Sequence, residues 1–126
     1  MKLSNKTIIE FMKSDIVSKK LPVKFAFALS LNIAAIAPAF KAYDEQRVLL
    51  LKSFAKKDDD NKPIVHDSSY VIDDVEGWNK SITELLEAEA DINITTVDIC
   101  TLEKCDSSEF DSLSVQDLAT IGFMIA

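Results

Sequence analysis

The stretch LPVKFAFALSLNIAAIAPAFKAYDEQRVLLLKSFA, from Leu21 to Ala55, decides the fold. Within it Leu29, Ile33, Ile36, Phe40, Tyr43, Arg47, Leu50 and Phe54 follow one another at steps of four, three, four, three, four, three and four. This is the rhythm of a coiled-coil seam, in which every such residue falls on one side of a helix. Pro22 is tolerated at a first helical position because its missing N–H has no intrahelical partner there. The spacing predicts one helix over 22–55, about 50 Å long at 1.5 Å per residue. A ridge of that length is expected to outrun the cover its own chain can supply. Phe25, Phe27, Leu31, Val48 and Leu51 widen the apolar stripe, so parts of the helix are expected to be buried on two sides. Pro38 lacks the N–H that would bond the Ala34 carbonyl, at a cost of about 3 kcal/mol unless the helix bends, so a kink is expected near Ala34 to Pro38.

Working outward, Ser4 can cap a short helix within 1–19 whose Ile8, Phe11 and Met12 keep helical spacing. After the long helix, Lys56 to Pro63 is a charged, turn-forming break. Ile64 and Val65, then Tyr70, Val71 and Ile72, flank a His66-to-Ser69 loop and predict a β-hairpin over 63–72. Asp73 and Glu76 suggest a capping box for a helix over 74–89, with Val75, Trp78, Ile82, Leu85 and Leu86 on one face. A strand over 91–99 is expected to pair with the hairpin. Ser114 and Asp117 suggest a second capping box for an apolar C-terminal helix over 114–125. The expected class is α+β and mainly helical, one domain over 1–126, with the long helix antiparallel to the third helix beside a small antiparallel sheet.

The 126 residues, 48 % apolar and 28 % charged, suit one globular core. Two glycines and three prolines leave little material for an all-β fold or a phosphate-cradling loop. A net charge of -7 opposes binding to a nucleic-acid backbone, which rests on Lys and Arg displacing counterions. Cys100 and Cys105 are the only cysteines, and free thiols in a reducing compartment are the simpler expectation. Asn5, Asn79 and Asn93 head Asn-x-Ser/Thr triplets that would matter only in a secreted eukaryotic protein. Phe25 to Ala37, followed by Ala37-Pro38-Ala39, has some look of a leader with a cleavage site. It would be longer than usual, would carry Glu10 and Asp15, and its apolar run is cut by Ser30 and Asn32, so neither export nor a membrane span is expected.

Candidate chemistry is sparse. A calcium loop beginning at Asp58 would need Gly and Glu where Pro63 and Ser69 stand, so Asp58 to Asp60 read as a solvated loop. A zinc site would need His66, Cys100 and Cys105 together with a carboxylate. Glu84, Glu87 and Asp91 fall three and four apart and read as surface acids rather than an ion site. One histidine and no nucleophile motif argue against catalysis, so no catalytic, cofactor or metal residues are expected. The residues assigned to a candidate interface are Phe25, Leu29, Ile33, Ile36, Phe40, Tyr43, Trp78, Phe123 and Met124, with core positions as the plainer alternative.

Leu21-Pro22-Val23-Lys24, Ala42 to Arg47, Lys56-Lys57-Asp58 through Lys62-Pro63 and Tyr70-Val71-Ile72 resemble segments of small proteins of unknown function encoded by tailed bacteriophages and prophages. Trp78-Asn79-Lys80, Glu84-Leu85-Leu86 and Phe123-Met124-Ile125 are similar too, so the likeness spans most of residues 21 to 125. Pro38 departs from what such a helix would carry. The resemblance implies a phage setting, a bacterial cytoplasm and no catalytic residues. The expected role is a non-enzymatic, oligomeric accessory or assembly protein that binds itself or a host or phage protein. Inhibition of a host or defence protein and sequestration of a small nucleotide signal are the alternatives.

Overall fold

A computed structural model describes residues 1 to 103 and 109 to 126. The class is α+β and mainly helical. Strand β1 (Lys2–Ser4) leads into α1 (Asn5–Lys13), whose N-cap Ser4 accepts the Thr7 N–H. This is the cap expected from the sequence. A 3-10 turn at Ile16–Ser18 leads to Pro22, which caps α2 (Val23–Phe54). The helix is assigned without interruption through Pro38.

Strands β2 (Val65–His66) and β3 (Ser69–Tyr70) form the expected hairpin around a two-residue turn. Asp67 and Ser68 in that turn have φ of 49° and 67°. The hairpin is tied to the end of α2, because Lys56 N–H donates to the Val71 carbonyl and Ile64 N–H donates to the Lys56 carbonyl. Helix α3 (Val75–Glu87) starts one residue later than expected. Asp74, not Asp73, accepts the Gly77 N–H and makes the cap. The helix runs antiparallel to α2: Phe54 meets Trp78 edge-to-face at 6.1 Å, while Tyr43 and Gln46 share a cleft with Leu85.

The expected third strand is corrected by the structure. Strand β4 (Glu89–Asp91) pairs antiparallel with β1, not with the hairpin, in the register Lys2 opposite Asp91, Leu3 opposite Ala90 and Ser4 opposite Glu89. The physical reason lies at Asn5, whose backbone N–H donates to Ala88 O and whose Nδ2 donates to Leu85 O. Those two bonds satisfy carbonyls at the end of α3 and bring the N-terminal strand alongside. A short α4 (Ile99–Glu103) and α5 (Val115–Ile121) follow, and a 3-10 turn at Gly122–Met124 replaces the last turn of the expected C-terminal helix. Ser114 and Asp117 do form the capping box.

The core gathers Leu3, Ile8, Phe11, Ile16, Leu21, Phe25, Leu29 and Ile36 with Ile92, Val97, Leu102, Ile121 and Met124. The N-terminal half of α2 is therefore covered on its seam side by α1 and by segments that arrive from the last third of the chain. Residues 92 to 97 cross it, held by Asn32, and Val97 N–H donates to Met124 O at 2.8 Å.

Candidate functional site

Nine residues were expected to offer an interface, and the structure turns most of them inward. Phe25, Leu29, Ile36, Tyr43 and Met124 are buried, and Ile33, Phe40 and Phe123 are half-buried against the same core. Phe123 makes an edge-to-face contact with Phe11 at 5.3 Å, and Trp78 is half-buried against Phe54. The expectation that the ridge from Leu29 to Phe54 outruns its own cover is corrected here. Its first half is enclosed, and Leu50 and Phe54 are half-buried.

The apolar surface that stays open lies on the other side of α2. Val23, Phe27 and Leu31 are 84 %, 64 % and 40 % exposed, and Ala34, Pro38 and Ala42 continue the same line in the exposed class. Their steps of four, four, three, four and four keep them on one face, about half a turn from the side that carries Phe25, Asn32, Ile36 and Tyr43. Phe27 and Leu31 were expected to sit under a second layer, and among the described residues none covers them fully. By length and composition alone α2 is apolar enough to cross a membrane, and 28 % of its most apolar window is buried in the fold. A soluble core helix normally hides its apolar residues on one stripe and shows polar ones opposite. This helix is apolar on both sides, and that was the readable signal for the outer face.

Lys24 and Glu45 bound the open line near its two ends, and both are exposed. Elsewhere a few charged groups hold the fold. Lys19 Nζ lies 2.8 Å from Asp117 Oδ2, whose carboxylate also accepts the Ser114 N–H. The hydrogen bond from Lys19, then that from Ser114, holds the Asp117 carboxyl below the usual range, and the bond to Asp117 raises the Lys19 ammonium. The cleft of about 330 Å³ beside Asp117, lined by Glu10, Lys13, Asp15 and Gln116, therefore borders a carboxylate already in use. A second open cleft of about 370 Å³ lies between Ser4, Lys6, Thr83, Leu86 and Glu87.

The residues weighed for metal chemistry are placed apart. Asp58 Oδ1 accepts the N–H groups of Asp60 and Lys62 and so shapes its own turn. His66 sits exposed on the hairpin, 3.3 Å from Asp67, and Cys100 is exposed on α4. Cys105 lies outside the described residues. Asp91 is not on α3 with Glu84 and Glu87, as its spacing suggested, but on β4, where it accepts a hydrogen bond from the Met1 ammonium at 3.0 Å. Among the described residues no three such groups converge on a point that could hold a metal ion. No family model, curated protein or solved structure matches this chain.

Proposed function

We propose that the protein is a non-enzymatic, phage-encoded accessory or assembly factor that works by protein–protein recognition, with the outer face of α2 as its working surface. The observation that carries this reading is the exposure of Val23, Phe27 and Leu31 on one line of a helix whose opposite side is already core. A large aromatic and two aliphatic side chains left in water on a rigid element are the chemistry of a buried interface anchor. Support for the phage setting and a bacterial cytoplasm comes from the sequence resemblance alone. The net charge of -7 adds long-range steering toward a basic partner surface, which favours inhibition of a host protein as the second reading.

The test is native gel filtration of lysate from bacteria that express either the natural chain or Phe27→Asp/Leu31→Asp. The natural chain is expected above its monomer mass and the variant at it. Elution of both at the monomer mass would end the reading.

A further inference from the structure

We infer that the occupant of the outer α2 face is the same face of a second copy, lying antiparallel across a two-fold axis near Ala34 and Ala35. This rests on the reading of that face as a recognition surface and adds its partner and its register. A two-fold contact must be self-complementary: whatever one copy presents at a position, the other must match at the mirrored one.

The exposed line on α2 has that property. In the two-fold register centred between Ala34 and the half-buried Ala35, Phe27 faces Ala42, Leu31 faces Pro38, and Val23, at the end of the line, faces the exposed Gln46. Phe27 and Leu31 of each copy thus meet small residues of the other, which lets two helices interdigitate without voids. The crossing point carries the exposed Ala34 of both chains, whose small side chain lets the backbones approach closely. The same operation sets Lys24 opposite Glu45 at both ends, two charge pairs that cap the apolar contact and select the antiparallel orientation. A parallel pair would instead oppose Lys24 to Lys24 and Glu45 to Glu45.

A lipid surface fits less well. Phe25, Leu29 and Ile36 are committed to the core and Asn32 is bonded to the backbone of Thr95, so α2 could not enter a bilayer without dismantling the fold. An acidic chain is also repelled by anionic headgroups.

Light scattering on the purified full chain at tens of micromolar is expected to give a dimer, and Phe27→Asp/Leu31→Asp a folded monomer, with its folding checked by circular dichroism. Lys24→Glu and Glu45→Lys are each expected to weaken the dimer about fivefold at low salt and less at high salt. Mixing those two variants, or combining both changes in one chain, is expected to restore it. In a parallel pair the single changes would not weaken association, and the combined variant would gain nothing over them. A natural chain that is monomeric at these concentrations overturns the inference, as does a monomer that instead binds phosphatidylcholine or phosphatidylglycerol vesicles. Either result leaves the broader reading standing if the lysate complex is still lost on Phe27→Asp/Leu31→Asp.

Discussion

Asn32 and Thr95 hold each other through a matched pair of hydrogen bonds, Asn32 Nδ2 to Thr95 O at 2.9 Å and Thr95 N–H to Asn32 Oδ1 at 2.7 Å. Asn32 is 0 % exposed and Thr95 half-buried, so the amide takes the place of a strand partner for the crossing segment where little water reaches. A buried amide paired in this way fixes register more than it adds net stability.

Replacing it by an apolar residue of similar size is therefore expected to be costly. Asn32→Leu leaves the N–H and C=O of half-buried Thr95 without their partner, and a loss of about 1 to 3 kcal/mol is expected in urea denaturation. A loss below about 0.5 kcal/mol would mean that the crossing segment finds water or another register.

The Lys19–Asp117 pair sets a pH window. Asp117 is held below the ordinary carboxylate range, so its contribution is present at neutral pH and fades as pH falls through that lowered value. Lys19 is raised, so its contribution is complete below the ordinary lysine range and fades only as pH climbs through the raised value. Asp117→Asn also weakens the α5 cap. It is expected to lose about 1 kcal/mol at neutral pH, with the gap to the natural chain closing as pH falls through the lowered Asp117 value in urea titrations.

Gly77→Ala sets helix propensity against capping. Alanine inside a helix gains up to about 1 kcal/mol over glycine. Here its Cβ would overlap the Asp74 carboxylate and stand 3.0 Å from Phe54 Cε1. The Asp74 side chain would have to leave the Gly77 N–H, with the loss of about 1 kcal/mol of capping and added crowding against a ring. A net fall in the thermal midpoint is expected, and a rise would show that Asp74 finds another way to cap α3.

The hairpin turn offers a gain. Two consecutive left-handed residues form the turn that matches strand twist, and glycine suits its second position better than serine. Ser68→Gly, at φ of 67°, is expected to stabilise by about 0.5 kcal/mol, read as a higher urea midpoint.

What could be read from the sequence was what is local. The Ser4 and Ser114 caps, the span of α2, the hairpin and the antiparallel α2–α3 pair each follow from spacing or from a side chain within four residues of its target. What could not be read is the pairing of β1 with β4 and the crossing of α2 by residues 92 to 97. Both depend on bonds between residues more than sixty positions apart, Asn5 with Leu85 and Asn32 with Thr95. For that reason the seam from Leu29 to Tyr43 looked uncovered. The outer face was visible in the sequence as Phe27 and Leu31, off the seam, but its openness depends on where the other described segments pack.

Leu3 takes its strand partner at Ala90, and Val97 closes on Met124. A ribosome that has released α2 has already made α1 but not the later segments that complete its enclosure. Much of an oily rod, beyond what α1 can shield, stays bare throughout that interval, so the last third of the molecule acts as its own timer. Chaperone demand, and any encounter between neighbouring nascent chains on one message, falls in that interval.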